Sequence, residues 1–406
     1  MGDSGHFLSG GPSFYVVVAN VMTYFSVGNR ITWGYKRNPI IINLNRKLMK
    51  YIAPVCVVSQ IVYLYVNYSD LTFDILGIIF SILPATCLAN VNIYSSRFKS
   101  YIRISLNFTS KIHIYNMYRN NKSTLMKETV DFVEKFTRLT TYYMIFFFSL
   151  NWIGWIAIPV VNNFRKQEQV FNHTAKLHTC LFLWMPFDYS YDYNRWIVVH
   201  LINCYLVFTG VCAMMIFQSI NYMYIFNLIG HIFILKNRIK TEFAETLSEN
   251  EVKNRLGKII EYHSFICKVF KDVEAAFGFN VASNYLQNLL GNSFILYQLM
   301  YGEKENRFLY MVMIMVYTGG PIMMSLVLEE IRRQTWDLSD IAYDMPWENM
   351  SVPNQKIVLL IIQRLQIVMD FKALGGLKAG VGPMISILKT TFSYYVMLKS
   401  TMTEEE

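Results

Sequence analysis

The stretch WIVVHLINCYLVFTGVCAMMIFQSINYMYIFNLIGHIFIL, from Trp196 to Leu235, contains no Asp, Glu, Lys or Arg. Its interruptions are uncharged polar residues such as His200, Gln218, Asn221 and His231. A helix crosses about 30 Å of hydrocarbon with roughly 20 apolar residues, because lipid offers its backbone no hydrogen-bond partners. This run is nearly twice that length. Its first part, 196–222, reads as a membrane span, and the rest as a continuation that leaves the membrane and packs on protein. Six more stretches have the length and apolarity to cross, at about 51–68, 71–93, 139–161, 279–301, 308–328 and 380–398. The chain therefore reads as an all-α, multi-pass integral membrane protein with seven transmembrane helices. The run Ile357–Ile362 is too short to cross and lies between Lys356 and Arg364, so 355–371 reads as an amphipathic helix outside the membrane. That choice sets the number of crossings as odd.

Composition agrees. A chain of 406 residues with 53% hydrophobic and only 16% charged residues is too apolar for an ordinary soluble globule. The formal charge of +9 could suit nucleic acid, but the basic residues sit in loops between apolar runs, not on one aromatic-studded face. No nucleic-acid partner is expected, and membrane lipid is. The cysteines at 56, 87, 180, 204, 212 and 267 form no CxxC pair, so neither a disulfide framework nor a metal site is indicated. The first 46 residues show no short apolar core before a small-residue cleavage site, which leaves the first span as the targeting signal.

Orientation follows from the basic residues, which are retained on the cytosolic side of spans. Of the 37 Lys and Arg, 29 lie in 1–50, 94–138, 223–278 and 331–379, while the alternate loops and Lys399 together hold 7. Lys389 alone falls inside a span. The N-terminus is thus expected in the cytosol and the C-terminus outside. Two glycosylation sequons, at Asn67 and Asn172, fall on the expected outer side and three, at Asn107, Asn121 and Asn349, on the inner. Asn172 lies in a loop long enough for glycan transfer; Asn67 is too near the bilayer.

No HExxH, GxSxG, Walker loop or in-span acidic pair occurs, which points away from an enzyme and implies no cofactor. Gly375, Gly376, Gly380 and Gly382 lack the Lys-Ser or Lys-Thr of a phosphate loop and read as a flexible or tightly packed entry to the last span. On that span Ser386, Thr390, Ser393 and Met397, then Ser400 or Thr401, recur at steps of three and four, which puts them on one face. Small hydroxyls on a membrane helix serve either as interhelical glue or as the lining of a water-filled path. Lys389 lends weight to the second, since a cation within a span faces protein or water. Both readings stay open.

The outer halves of the third, fourth and sixth spans concentrate Phe147, Phe148, Trp152, Trp155, Tyr205, Phe208, Met313 and Tyr317, with few polar groups, such as Asn151 and Thr209. Aromatics at helical spacing are ordinarily core or interfacial belt. The functional alternative is a mostly apolar cavity for a small volatile organic ligand. Its expected lining is Phe148, Asn151, Trp152 and Trp155, joined by Ile79, Leu83, Thr209, Met313 and Tyr317.

The stretch Ser339-Asp-Ile-Ala-Tyr-Asp-Met-Pro-Trp347, followed by the amphipathic helix and Ile387-Leu-Lys-Thr-Thr-Phe-Ser-Tyr-Tyr395, resembles the signature of insect odorant receptors. The resemblance covers about 70 residues by motif, and the spans, loop lengths and inverted topology agree along the chain. It implies a ligand-gated cation channel of four subunits in the plasma membrane of an olfactory neuron's dendrite. The chain then divides into a cytosolic segment 1–50, helices 1 to 6 with the ligand pocket over 51–330, cytosolic anchor helices over 331–379, and a pore-lining helix with a short outer tail over 380–406. Ser386, Thr390, Ser393, Met397 and Thr401 become pore lining, with Met397 and Thr401 at the outer gate. The long cytosolic insert of the shared co-receptor subunit is not evident in 223–278, so the chain looks like an odour-tuned subunit that works with the co-receptor in a heterotetramer.

Gustatory receptors share this architecture but end in a Thr-Tyr to Gln-Phe motif, where Ser400 and Thr401 stand here. A G-protein-coupled receptor would place its N-terminus outside, against the charge count, and neither Asp-Arg-Tyr nor Asn-Pro-x-x-Tyr occurs. A transporter would show a repeat between halves, and none is seen.

Overall fold

In the computed structural model the described residues are 14–25, 28–33, 35–71, 73–243, 247–302 and 306–403. They fold as helices α1 (Phe14–Phe25), α2 (Ile40–Asn67), α3 (Phe73–Ser95), α4 (Lys99–Asn107), α5 (Ile114–Asn120), α6 (Thr124–Arg165), α7 (Tyr193–Thr241), α8 (Glu249–Tyr301), α9 (Arg307–Trp336), α10 (Leu338–Tyr343), α11 (Val352–Leu365) and α12 (Val381–Thr403). The seven long ones, α2, α3, α6, α7, α8, α9 and α12, correspond to the seven expected spans. Several begin well before them. α6 starts at Thr124 and α8 at Glu249, so nearly all of the basic segment 223–278 and the last third of 94–138 are helical extensions of the spans themselves. Side-chain caps fix their starts: Ser123 accepts from the Met126 N–H, Asp192 from those of Asn194 and Arg195, and Glu251 from that of Ser248 at 3.0 Å.

Five helices, α2, α3, α6, α7 and α9, carry windows apolar enough to cross a membrane by composition alone. α8 and α12 fall short of that measure because amides dilute the first and hydroxyls with Lys389 dilute the second. α8 lies along α3 and α9, while α12 packs one face on α8 and α9 and leaves the other exposed. Gly77 on α3 permits the closest approach, since a Cβ there would overlap the Gln298 side chain of α8 at 1.6 Å.

α7 is the centre of the fold. From Cys212 to His231 every residue is buried, which matches a helix apolar all round and explains where the excess length of that run goes. Tyr224 packs edge-on to Phe108 at 4.7 Å, and Asn227 accepts from the Ile114 N–H at 3.1 Å. α2 is peripheral and leaves Val55, Val58, Ile61 and Tyr65 exposed, a face suited to lipid.

The helix expected over 355–371 ends at Leu365. Beyond it Met369, Phe371 and Ala373 are buried while Lys372 between the last two is exposed, an alternation of period two that belongs to extended chain. Main-chain bonds from Ala373 to Leu377 and from Ala379 to Phe371 close a hairpin whose turn holds Gly375 and Gly376 at φ of 74° and 80°, a conformation that favours glycine. The glycine cluster is thus a tight turn delivering the chain to α12.

Candidate ligand cavity and last helix

A cavity of about 80 Å³ opens among α2, α3, α6, α7 and α9. Trp155 and Asn151, one turn apart on α6, meet Tyr317 of α9 and Leu181 of the α6–α7 loop at one end. Ile82, Ala85 and Ala89 of α3 and Val207 and Gly210 of α7 form its walls. Met49 and Ala53 of α2, with Ile93 and Met214, close the other end. Asn151 is 1% exposed, and its Nδ2 has no hydrogen-bond partner among the described residues. A buried amide N–H left unpaired costs about 1–3 kcal/mol, so a ligand oxygen that accepts from it gains that much in specificity.

Of the nine residues expected to line a pocket, Asn151, Trp155 and Tyr317 stand on this cavity. Ile79, Phe148, Thr209 and Met313 are buried in the surrounding core, and Leu83 is half-buried. Trp152 is turned from Asn151 by one residue and packs on Phe208 with ring centres 5.2 Å apart. What the sequence reading missed is the contribution of α2 and of Ala85, Ala89 and Gly210. These are small residues whose use is to leave space, which no aromatic or polar signal marks. His200 packs flat on Trp196 at 4.7 Å, with Cys180 Sγ 3.8 Å from its Nδ1.

The loop over the cavity is tied to α2: Ser59 donates to the Trp184 carbonyl at 2.9 Å, Trp184 N–H to that of Ser59, and Gln60 to that of Leu181 at 3.0 Å. Alongside α3 and α9, α8 carries a row of buried amides, Asn280, Asn284, Gln287, Asn288, Asn292 and Gln298. Asn288 donates to the Tyr317 carbonyl at 2.7 Å and Asn292 to Thr318 Oγ1 at 2.8 Å. Asn280 donates to Asn92, and Gln218 to Asn284. These amides join α3, α7, α8 and α9 within the apolar interior. They escaped notice because each alone reads as a loss of hydropathy.

On α12 Met384 and Thr391 are buried against α8 and α9, whereas Ser386, Thr390, Ser393 and Met397 are exposed. At about 100° per residue the hydroxyl stripe lies opposite the packed face. Its hydroxyls donate back into the helix, Ser386 to the Gly382 carbonyl, Thr390 to that of Ser386 and Ser393 to that of Lys389 at 3.0 Å. Lys389 is exposed and flanks the stripe. Thr401 belongs to the helix, but its side chain lies outside the described residues.

The family model described as "7tm Odorant receptor" matches residues 90–392, that is 303 of the 406. The chain belongs to the odorant receptor family. Among solved structures it is similar to olfactory receptor OR5 of the insect Machilis hrabei in complex with eugenol, with a TM-score of 0.72 at 13% identity over 95% of this chain and 98% of that one. A second structure of the same receptor gives a TM-score of 0.67 at 13% identity, covering 95% of this chain and 96% of that one. No curated protein sequence matches. At this identity the likeness establishes the insect olfactory receptor fold, and the odorant receptor assignment rests on the family match.

Proposed function

We propose that this odorant receptor is an odour-tuned subunit of a cation channel opened by small volatile organic molecules. The observation that carries the reading is the cavity among α2, α3, α6, α7 and α9, mostly apolar and holding one unpaired amide donor at Asn151. A related receptor was solved with the small phenol eugenol, and a ligand of similar size suits such a site. At about 0.3 to 1.5 kcal/mol per heavy atom, a ligand of roughly ten atoms binds with modest affinity, tuned by shape more than by hydrogen bonds.

In this reading the chain works in the plasma membrane with a co-receptor subunit, as a heterotetramer. Segments 1–50 and 331–379 are cytosolic, 51–330 carries the pocket, and 380–406 supplies the pore helix and outer tail. Asn172, exposed in the α6–α7 loop, carries a glycan. Ser386, Thr390, Ser393, Met397 and Thr401 face the conduction path, and Lys389 points to its side. The exposure of that stripe, opposite the face packed on α8 and α9, supports this assignment over interhelical glue within one subunit. A ligand opens the channel only if it binds the open state more tightly than the closed one.

The test is current in cells expressing the chain with the co-receptor, across an odorant panel. Trp155→Ala is expected to change the rank order of agonists. An unchanged response profile, with the variant shown at the surface, would remove the pocket from this site.

A further inference from the structure

The cavity is drawn out, not round. Its lining runs along α3 from Ile82 to Ile93, which at about 1.5 Å per residue is roughly 16 Å. Along α7 it runs from Leu206 to Met214 and along α2 from Cys56 to Met49. Met49, Ala53, Ile93 and Ala213 pack together, so the lower ends of the three stretches lie at one level, and the stretches of α7 and α2 span roughly 12 Å and 10 Å of the same wall. The cavity's volume of about 80 Å³, counted as room for the centres of water-sized spheres, is therefore spread along a narrow trough. Its floor is made narrow and smooth by small side chains, Ala53, Ala85, Ala89 and Gly210, a Cβ at the last of which would stand 3.5 Å from that of Ala89.

The two ends differ chemically. At the upper end Asn151, buried and with its Nδ2 unpaired, lines the space together with Trp155 and Tyr317. The lower end, with Met49, Ala53, Ile93 and Met214, is closed by aliphatic and thioether groups. Asn90 also lines the lower half; one of its two amide N–H groups is engaged by the Thr86 carbonyl at 2.9 Å, and its Oδ1 is an unpaired acceptor.

We infer that the ligand is an unbranched aliphatic chain ending in one oxygen function, an alcohol, aldehyde or ester. Its oxygen accepts from Asn151 Nδ2, and its tail lies in the trough between α2, α3 and α7. This inference rests on the receptor reading above. A compact aromatic fills only the upper end. A lipid acyl chain shares the tail's chemistry, but the single unpaired donor at Asn151 matches one oxygen function and not a charged diacyl headgroup.

The receptor co-expressed with the co-receptor is challenged with hexanol, octanol, decanol and dodecanol, with decane and with a methoxyphenol. Sensitivity is expected to rise roughly fourfold per added methylene up to about the length of decanol and then to level off. Ala53→Leu and Ala89→Leu, which fill the lower half, are expected to lower the response to decanol at least about tenfold more than that to hexanol and to abolish the gain with chain length. Ala53 lies on the peripheral helix α2, so its variant is the one better placed to fold. A response independent of chain length, or a break that neither variant moves while both reach the surface, overturns the inference. So does a methoxyphenol more potent than decanol.

Binding is measured separately from current, by photolabelling the purified complex with a straight-chain alcohol bearing a diazirine at its tail. Labelled peptides spanning 85–93 or 206–214, competed by decanol, support the trough even where no alcohol evokes current, in which case the channel reading alone fails. Labelling elsewhere overturns the trough. Competition by a lysophospholipid and by no alcohol assigns the trough to lipid and overturns the inference as well.

Discussion

Asn288 Nδ2 donates to the main-chain carbonyl of Tyr317 at 2.7 Å. The acceptor belongs to a residue that lines the cavity, and the donor sits on α8, whose next turns bind α12. Tyr285, on the same helix, accepts from the Gly380 N–H at 3.2 Å and shares a hydrogen bond with Ser325 at 2.7 Å. Ser293 donates to the Thr391 carbonyl at 3.2 Å. A set of hydrogen bonds made by α8 side chains thus runs from the cavity wall to both the start and the middle of α12. Spatial continuity is a hypothesis of coupling that perturbation must test.

Replacing Asn288 by Leu removes that donor and leaves the Tyr317 carbonyl without it, at a cost of about 1–3 kcal/mol. The expected result is a surface-expressed receptor whose ligand-evoked current falls about tenfold at fixed agonist concentration while agonist binding, measured by displacement, is retained. Tyr285→Phe, which frees the Gly380 N–H, is expected to act the same way with a smaller effect, about 1 kcal/mol. Equal losses of binding and current in both variants would place these residues in the pocket's stability and not in coupling.

The long helices and their order are legible in the sequence because lipid imposes a length requirement that few soluble segments meet. The central burial of α7 follows from a run too long for one crossing. The hairpin after Leu365 was misread as helix, since Ile367, Val368, Met369 and Phe371 continue an apolar run whose change of period is visible only over five residues. Asn151, Trp155 and Tyr317 stand out in the sequence by their chemistry, and all three line the cavity. Met49, Ala53, Ala89 and Gly210 do not stand out, because a cavity is made by what is missing from a side chain, and that depends on which helices become neighbours.

Two histidines make the inner end of the bundle sensitive to acid. His231, beyond the span 196–222, meets Tyr262 Oη at 2.7 Å through Nδ1 and the Ile112 carbonyl at 2.6 Å through Nε2, an arrangement that suits a neutral ring donating from Nε2 and accepting at Nδ1. Burial pushes it down to about 4, and burial pushes His113 down to about 4 as well. The unfolded chain binds protons at these rings below about pH 6.5 while the folded one does not, so stability is complete above about pH 6.5 and is lost as pH falls toward 4. The loss is of order 3 kcal/mol per ring at most. Purified receptor is expected to melt at a lower temperature at about pH 5 than at about pH 7. His231→Gln, which keeps hydrogen-bonding capacity without the titration, is expected to reduce that difference. An undiminished difference would acquit His231.

Topology is testable without function. Most of the basic residues lie in segments at the end of the bundle where α6 and α8 begin, and the α6–α7 loop with exposed Asn172 lies at the other. A tag placed after Glu406, beyond the described residues, is expected to be labelled on intact cells. Deglycosylation is expected to shift the mobility of the wild type and leave Asn172→Gln unaltered. Labelling that appears only after permeabilisation would reverse the orientation, and with it the cation-channel reading.

The last helix decides between packing and conduction. Within one chain, Met384 and Thr391 already hold α12 to α8 and α9, so its opposite face, with Ser386, Thr390, Ser393 and Met397, is left for other subunits or for water. Their hydroxyls return hydrogen bonds to carbonyls four residues back, which satisfies them within the helix and leaves oxygen lone pairs directed outward. Such a surface wets readily, and a ring of thioethers from Met397 on neighbouring subunits would interrupt it with a constriction that closes by dewetting. Ser393→Cys and Met397→Cys, co-expressed with the co-receptor, are therefore expected to react with a charged thiol reagent applied from outside during agonist exposure. Reaction should be at least about tenfold slower at Ser393 in the closed state, because Met397 stands one turn outward of it. Modification should block current or change ion selectivity. Cysteines that reach the surface yet show no reaction at either position, with agonist or without, would assign the stripe to helix packing between subunits and move the conduction path elsewhere.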